Sequence, residues 1–437
     1  MDKLNLMLSL FGIQSEHGQT TELPSHLESR GLKGKNIFQG PLTFSILDGS
    51  SGLCSPRKVS VHENDIFVAE SGVGAVSDPE NPEVANNCYY APQFFSYTCI
   101  GSTAQVSKIS TDGMKTVVLD NLFSNRPLSG QGETHATGAQ SVTFHNGDMY
   151  TVIGLGLNGT LLANDGIYEE YGAFGSILKG SEVAADPWVA EYKYNYDGST
   201  NPSGVLAVPD SNPYHLLILN DTYYVADAGG NTLLTYEALN NVSLTEPVSA
   251  MVIPRFTGIT AAGPPLCEGI TPPYGPPFCG TYQEDGVWKY DTESVPTAIR
   301  ARPEHPDKIY VSTLVGAIWN EPVATIYEIQ LDKNGIPIDQ TPITNMFYGI
   351  IDFGFYDENT IYVLEAPLSP YMPFVGGRLT RVNLKDGTRS IVAGDETLTN
   401  PSGVLIDGDK IYVTNNTFNL NGVDANCDGH ILVATVE

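Results

Sequence analysis

The sequence is poor in positive charge and has no long hydrophobic run. In 437 residues there are 22 lysines and arginines against 50 aspartates and glutamates, which gives a formal net charge of −28. A chain of this charge repels nucleic acid and anionic membrane surfaces, so neither is expected as a partner. No run of 18 apolar residues occurs, so no transmembrane segment is predicted. A G-x-S-x-G motif, the mark of a serine nucleophile elbow, is also absent.

Charged residues of both signs make up only 16% of the chain, well below the usual quarter. The sequence is instead rich in turn-forming residues, with 44 glycines and 29 prolines, and 41% of its residues are hydrophobic. This balance indicates strands joined by turns around an ample core.

One hairpin pattern recurs along the chain. Its clearest copy is 349–366, where two short runs rich in β-branched and aromatic residues flank the polar turn 356–359. Such a pattern is typical of a β-hairpin. The other copies lie at 59–70, 142–152, 216–227, 298–311 and 404–415. Six copies of one unit indicate a repeat architecture.

Two further strand-like runs follow each of the first five hairpins, and in the second unit these runs are 175–178 and 188–192. The sixth hairpin is followed by one run, 430–436, while 37–47 contains a strand-like run with no partner beside it. The sequence therefore predicts an all-β fold, a six-bladed β-propeller closed by an N-terminal strand that completes the last blade. The predicted propeller spans 37–437, and 1–36 is predicted to be a loosely ordered leader.

The long connections fall between the second and third strands of a unit and between units, at 71–103, 120–137, 154–174, 193–212, 254–295 and 366–377. In blades of alternating strand direction both kinds of connection emerge on the same face. We call this the loop face. Long loops on a rigid scaffold commonly carry function, so binding of a small molecule or an extracellular protein is expected there.

Several features favour export to a secreted, periplasmic or extracellular location. Residues 1–13 combine one lysine with an apolar core, which fits either a shortened secretory signal or part of the leader. Three glycosylation candidates are Asn158, Asn241 and Asn415.

Six cysteines in locally paired positions predict three disulfides, Cys54–Cys427, Cys88–Cys99 and Cys267–Cys279. The last two pairs each bracket a short aromatic or proline-rich loop. The first pair joins blades one and six, which are neighbours only in a closed ring. Free buried thiols in a reducing compartment are the alternative.

Polar residues cluster where second strands end or first strands begin at the loop-face mouth of the channel. The candidate ligand-binding residues are Arg57, Glu70, His135, Asn212, Asp227, Asn231, Glu365 and Asn415. Carboxylate, amide and imidazole groups in this arrangement suit a divalent cation or a polar ligand. The alternative is that these side chains hold loop backbones in place.

A second candidate metal site is the run Asp424-Ala-Asn426-Cys-Asp428-Gly429, which matches D-x-N-x-D-G. Alternating oxygen ligands before a glycine suit Ca²⁺, which makes calcium a candidate cofactor. The twelfth position is Thr435 rather than glutamate, so the full EF-hand pattern is not met. A plain acidic turn is the alternative.

From Leu53 to the C-terminus the chain resembles the ScyD/ScyE family of propellers, known from scytonemin gene clusters. The resemblance rests on the number and order of short motifs, among them 55–57, 69–72, 135–138, 225–231, 362–365 and 377–382. It implies an exported propeller related to NHL-type repeats. The chain departs from the family in lacking its Pro-Asp-Gly hairpin turns and in having Ser312-Thr313 where the family tends to have a glutamate.

These observations lead us to expect a non-catalytic propeller that binds through the loop face. Two alternatives stay open. One is a metal-dependent hydrolase of the lactonase type, although the first-blade glutamate of such enzymes is replaced here by 54–57, Cys-Ser-Pro-Arg. The other is a structural component of an extracellular assembly.

Overall fold

The computed structural model describes residues 41–75, 88–91, 96–128, 136–155, 173–198, 211–237, 245–260, 282–284, 287–302, 304–316, 322–366, 376–417 and 427–436. Within these ranges, regular structure consists of 28 strands and one eight-residue helix, α1 (Pro187–Tyr194). The predicted leader, 1–36, lies outside the described residues.

The strands form six antiparallel blades. Blade 1 contains β2 (Pro56–His62), β3 (Asp65–Glu70), β5 (Ser96–Ile109) and β6 (Lys115–Leu128), with β4 (Cys88–Ala91) also paired to β5. Blade 2 contains β7 (Ala139–His145), β8 (Asp148–Ile153), β9 (Ile177–Lys179) and β10 (Glu182–Ala185). Blade 3 contains β11 (Pro213–Leu219), β12 (Thr222–Asp227), β13 (Thr232–Glu237) and β14 (Ser249–Val252).

A separate three-stranded sheet follows blade 3, formed by β15 (Phe256–Thr260), β16 (Tyr282–Glu284) and β17 (Val287–Thr292). Blade 4 contains β18 (Pro296–Ala301), β19 (Lys308–Thr313), β20 (Ala324–Leu331) and β21 (Pro337–Phe347). Blade 5 contains β22 (Ile350–Phe355), β23 (Thr360–Glu365), β24 (Arg378–Asn383) and β25 (Arg389–Ala393). Blade 6 contains β26 (Gly403–Asp407), β27 (Lys410–Asn415) and β28 (His430–Thr435).

The fourth strand of blade 6 comes from the other end of the chain. The short strand β1 (Ser45–Ile46) pairs with β28, with Ser45 opposite Val433. The predicted closure by an N-terminal strand is therefore confirmed, and so is the six-bladed propeller. Closure of this kind leaves no open end to the ring.

The described core residues form six clusters. Five lie between two neighbouring blades, and the sixth joins blades 5 and 6 and also includes Tyr214 of blade 3. The cluster at the seam packs Val68 of blade 1 against Tyr412 and Ile431 of blade 6. Second strands are the most buried because both of their faces meet such clusters, and every residue of β23 is buried. Their β-branched and aromatic residues suit a pleated surface packed on both sides.

A disulfide joins Cys54 to Cys427 across the seam, with the two Cα atoms 4.2 Å apart. This confirms the predicted pair that depends on ring closure. The backbone pairing places Cys88 opposite Cys99, and Cys99 is disulfide-bonded. The Cys88–Cys99 assignment stays a prediction, and Cys267 and Cys279 lie outside the described residues.

The second blade corrects one sequence expectation. Residues 188–192 were expected to be a strand, but they belong to α1, and the fourth strand is β10. A tight turn at Gly180 lets the hairpin of β9 and β10 close early. Pro187 then occupies the first turn of the helix, where its fixed φ and missing N–H are favourable. The helix ends at Asn195, which adopts the left-handed conformation.

Additional structure lies on the loop face. Because Glu70 is opposite Gln105, residues 96–104 of β5 extend beyond the end of β3 toward this face. The sheet of β15, β16 and β17 and the helix α1 both lie in connections between blades, so they belong to the same face. No helix in the described ranges is long and apolar enough to cross a membrane.

Replacing both seam cysteines by serine, in Cys54→Ser/Cys427→Ser, tests how much the disulfide stabilises the ring. The bridge spans 373 residues. We expect the free energy of unfolding to fall by about 3–5 kcal/mol, because the unfolded chain gains a large loop entropy. Urea denaturation of the oxidised proteins measures this loss. An unchanged denaturation midpoint would show that β1 pairing and the seam core suffice without the bridge.

Candidate functional site

First strands line the centre of the ring, and five of the six carry a one-residue irregularity near their start. The extra residues are Arg57, Gln140, Tyr214, Thr297 and Ile351. A bulge redirects the side chain at that position and increases the local twist. The repeat therefore presents a set of redirected side chains at the loop-face mouth of the channel.

The residues at the ends of second strands, opposite the starts of first strands, form a ring around the loop-face mouth of the channel. Not every blade contributes a carboxylate or an amide to this mouth ring. Pairing places Glu70 opposite Pro56, Asp227 opposite Pro213, and Glu365 opposite Ile350. In blade 2 this position is the apolar Ile153. In blade 4 it is Thr313, whose hydroxyl bonds to the backbone of Thr325.

The polar members of the ring are buried and bond to the backbone that precedes a first strand. Glu70 Oε2 accepts from the N–H of Cys54 at 2.6 Å, and Glu365 Oε1 accepts from the N–H of Tyr348 at 2.8 Å. Asn415 Oδ1 accepts from the N–H of Thr399 at 2.7 Å. The same contact in separate blades indicates that these side chains fix the path of the chain into each blade.

Asp227 makes the largest set of such bonds. Its Oδ1 accepts from the N–H groups of Asn212, Gly229 and Gly230 at 2.7, 3.2 and 3.1 Å, and its Oδ2 accepts from the Ser211 hydroxyl at 2.6 Å. Burial raises the pKa of Asp227 above its ordinary value, and these hydrogen bonds oppose that rise. The carboxylate thus replaces water for four donors at once.

Glu365 is balanced by a cation. Arg378 Nε donates to Glu365 Oε2 at 2.8 Å, and Arg378 Nη2 lies 2.7 Å from the same oxygen. Burial raises the pKa of Glu365, and the positive charge of Arg378 acts in the opposite direction. The oxygen atoms of this side chain are accordingly engaged with the protein.

The remaining predicted ligand residues that the structure describes are hydrogen-bonded within the protein. Arg57 is buried and donates from Nε to the Ser71 hydroxyl. Asn212 Oδ1 accepts from the N–H of Leu155, and Asn231 Oδ1 accepts from the N–H of Val295. His135 lies outside the described residues. A ligand-binding role for this set stays a prediction, and the contacts assign its described members a structural role.

Only some residues of the predicted calcium and glycosylation sites lie in the described ranges. Asp424, Asn426, Asn158 and Asn241 lie outside the described residues, and Asp428 is exposed beside Cys427. Asn415 is 4% exposed with both amide atoms in contact with protein groups, so the folded chain leaves no space there for a glycan. In the described ranges no group of three or more histidine, cysteine, aspartate or glutamate side chains is arranged to hold a metal ion.

The structure shows a buried ionic network in the channel that the sequence analysis missed. Lys58 Nζ lies 3.2 Å from Asp352 Oδ2, and Arg300 Nη2 lies 2.7 Å from Asp352 Oδ1. These residues belong to blades 1, 5 and 4, and blades 1 and 5 are not neighbours. Asp352 also accepts from the N–H of Val404 in blade 6 at 3.0 Å. One carboxylate therefore ties four blades together.

His215 of blade 3 joins the network. Its Nδ1 accepts from the N–H of Ile299 at 2.8 Å, and the Arg300 guanidinium lies 2.9 Å from Nε2. Burial, followed by the positive charges of Arg300 and Lys58, holds the pKa of His215 well below its ordinary value. The imidazole is therefore neutral at physiological pH.

Tyr214 covers the network on the side of the loop face. Lys58 Nζ lies 5.3 Å from the centroid of the Tyr214 ring, and the Arg57 guanidinium is hydrogen-bonded to Tyr214. Tyr214 and Ile351 pack in the same apolar cluster. Side chains at the bulge positions of blades 1, 3 and 5 thus lie beside the network.

A sequence signal for this network exists. Each member is a charged or titratable residue inside an otherwise apolar inner strand, as in IIDFGF for Asp352, PTAIRA for Arg300 and PYHLLIL for His215. Charged residues are rarely fully buried unless they are paired. What the sequence does not contain is the pairing, because the partners are 52–294 residues apart along the chain.

Comparison with known proteins does not assign the chain to a family. No protein-family description matches the chain, and no curated protein matches it. Among solved structures the chain is similar to a protein named glucose dehydrogenase, with 10% identity and a TM-score of 0.40 over 90% of this chain and 100% of that one. A periplasmic gluconolactonase of Pseudomonas aeruginosa gives 10% identity and a TM-score of 0.34 over 79% and 86%. At these values the similarities carry no argument about activity, and the propeller assignment rests on the strand topology.

Two substitutions at Asp227 separate a structural role from a ligand-binding one. Asp227→Ala leaves four donors without their acceptor, and we expect it to lower the free energy of unfolding by about 3 kcal/mol or more. Asp227→Asn keeps Oδ1 for the three N–H groups and can donate to Ser211, so the loss should be less than about half as large. Urea denaturation measures both. Equal losses for the two variants would contradict the backbone-holding role.

The pH dependence of stability reports on Lys58. Burial lowers its pKa from 10.5 to about 8, with Asp352 opposing and Arg300 and Arg57 adding to the fall. The unfolded chain therefore binds more protons than the folded chain between these values, and stability contributed by this group rises with pH, by up to about 3 kcal/mol. Lys58→Met should lack this rise. Parallel curves of unfolding free energy against pH for the two proteins would refute it.

Proposed function

We propose that this chain is a non-catalytic binding propeller that engages an extracellular ligand or protein partner through its loop face. The observation that carries the proposal is the one-sided elaboration of the scaffold. Strands β5 and β6 are each 14 residues long, whereas the corresponding strands of blade 3 have 6 and 4 residues. The excess in β5 lies beyond Glu70, on the same face as α1 and the three-stranded sheet.

The chemistry of the channel favours binding over catalysis. The described carboxylates at the mouth are engaged with backbone N–H groups or with Arg378. The buried Asp352 is likewise engaged, with Lys58 and Arg300. A lactonase-type metal centre would need carboxylates that are turned toward a shared ion, and the described residues do not provide such a group.

Exposed aromatic residues on α1 give the loop face a feature suited to binding. Tyr192 and Tyr194 are 51% and 43% exposed, and the Tyr194 ring lies 5.2 Å from that of Tyr196. Tyrosine offers a large contact area at low conformational cost. Tyrosine is also among the residues enriched at protein interfaces.

Export is part of the proposal. The Cys54–Cys427 disulfide suits an oxidising compartment, and the net charge of −28 suits a partner that is neutral or basic. The motifs shared with the ScyD/ScyE family are consistent with the same location. We propose that the chain is a propeller of that type.

A comparative capture experiment tests the loop-face proposal. Immobilised wild-type protein would be exposed to the culture medium of the cells that make it, and retained components would be quantified by mass spectrometry. We expect at least one component to be lost with Tyr192→Ser/Tyr194→Ser, because the aromatic contact area is removed. Thermal unfolding would confirm that the variant is folded.

The matched control is Ile338→Ser/Ile391→Ser, which changes residues that are 60% and 52% exposed on the outer strands β21 and β25. It should retain the same components as the wild type. Retention that responds equally to both double variants would contradict the proposal. Hydrolysis of gluconolactone that depends on added Ca²⁺ and is lost in Asp227→Asn would favour the lactonase alternative instead.

A further inference from the structure

The turn that joins β7 to β8 in blade 2 contains an asparagine followed by a glycine, Asn146-Gly147. His145 and Asp148 pair across this turn, so it has only two central residues. Both adopt a positive φ, 51° for Asn146 and 84° for Gly147, as a two-residue hairpin turn of this kind requires. The conformation of the turn explains its sequence, but the same pair of residues is also chemically reactive.

An asparagine side chain can be attacked by the main-chain nitrogen of the residue that follows it. In this reaction the Gly147 nitrogen loses its proton and forms a bond to Cγ of Asn146. The bond from Cγ to Nδ2 breaks, and the amide nitrogen leaves as ammonia. Water then opens the five-membered imide ring at either carbonyl, which gives aspartate or isoaspartate. Glycine favours the attack because it has no Cβ to hinder the rotation that the reaction needs.

The Asn146-Gly147 peptide is open to this reaction in the folded protein. Both residues are exposed, and a Cβ placed on Gly147 would have no atom within 4 Å. The Gly147 N–H has no hydrogen-bond partner among the described residues. Neither packing against the glycine nor a hydrogen bond of its nitrogen therefore has to be lost before the turn rotates into a reactive geometry.

A second asparagine–glycine pair, Asn334-Gly335, lies in the turn between β20 and β21 of blade 4 and provides a contrast. The Gly335 N–H donates to the carbonyl of Asp332 at 3.0 Å, and the Asn334 N–H donates to Asp332 Oδ1 at 2.8 Å. The Gly335 carbonyl accepts from the Tyr224 hydroxyl of blade 3 at 2.6 Å. Because these bonds hold both the attacking nitrogen and its peptide, the reaction should be slow at this second pair.

We propose that Asn146 is a site of spontaneous deamidation in the folded protein and that the reaction alters the contact between blades 2 and 3. Asn146 Nδ2 lies 3.0 Å from His145 Nε2, and the same ring nitrogen lies 2.7 Å from Asp221 Oδ1 of blade 3. Conversion to aspartate replaces Nδ2 by a carboxylate oxygen, which competes with Asp221 for His145. Conversion to isoaspartate adds one atom to the main chain of a two-residue turn, and hairpin register depends on the length of the turn. This site is independent of the loop-face proposal.

Peptide mapping of aged protein tests the site. Samples incubated in neutral buffer, either folded or unfolded in guanidinium chloride, would be digested. Mass spectrometry would then measure the conversion of Asn146 and Asn334 to the acid, each in its own peptide. In the unfolded chain we expect the two pairs to react at similar rates. In the folded protein we expect Asn146 to react about tenfold or more faster than Asn334, because breaking the contacts of the second pair adds to its activation barrier.

Two variants isolate the consequence for the blades. Asn146→Gln is the matched control, because it keeps an amide and can react only through a larger ring, so position 146 should stay unconverted. Asn146→Asp imitates the aspartate product. We expect hydrogen exchange in the blade 3 turn that contains Asp221 to be about twofold or more faster in Asn146→Asp than in Asn146→Gln, since an exposed ion pair is weakened.

The proposal is overturned if Asn146 and Asn334 convert at equal rates in the folded protein. It is equally overturned if Asn146 is intact in folded protein that has aged for as long as the unfolded chain needs to react. Equal hydrogen exchange in Asn146→Asp and Asn146→Gln would contradict the effect on the contact between the blades. Asn158-Gly159 and Asn421-Gly422 lie outside the described residues, and the peptide map distinguishes conversion there from conversion at Asn146.

Discussion

The carboxylate of Asp352 receives Lys58 and Arg300 from two other blades, inside a ring whose other cohesive contacts mostly join neighbours. Lys58 belongs to blade 1, so its bond to blade 5 spans the position of blade 6. Such a pair forms only when the ring is closed, and closure in turn depends on the pairing of β1 with β28 and on the Cys54–Cys427 bridge. A buried ion pair is not in itself strong evidence of stability. Its effect here is to specify which blades meet at the centre.

Much of the polar chemistry of this propeller is used to build it. Glu70, Asp227, Glu365 and Asn415 each satisfy backbone donors at the point where the chain turns into a blade, and the bulges at first-strand starts redirect the next side chains. The repeat places these residues at corresponding positions of their blades, which makes them resemble a ligand ring in sequence. Their hydrogen bonds show that they replace water around buried N–H groups.

The fold could be predicted from sequence because the hairpin of each blade is a local pattern. The I-Y-V runs at Ile361 and Ile411 are continuous and apolar, as a strand packed on both faces requires. A unit with one strand too few implied closure by 37–47. The prediction of a strand at 188–192 is wrong because a short apolar run of this kind fits either a strand or a helix. Pro187 favours the helix, because it occupies the first helical turn. The site was harder to predict. Whether Asp227 binds a ligand or the N–H of Asn212 depends on loop geometry. The ion pair between Lys58 and Asp352 depends on closure of the ring, which brings blades 1 and 5 within reach of each other.

A double-mutant cycle between Lys58 and Asp352 tests most directly whether the centre of the ring is held by this network. Lys58→Met, Asp352→Asn and the double variant would be compared with the wild type by urea denaturation at pH 7. The account predicts that the two substitutions are coupled by about 1.5–3 kcal/mol, the upper part of the range for residues that share one ionic network. Additive effects, with a coupling energy near zero, would show that the two side chains occupy the channel without holding it together.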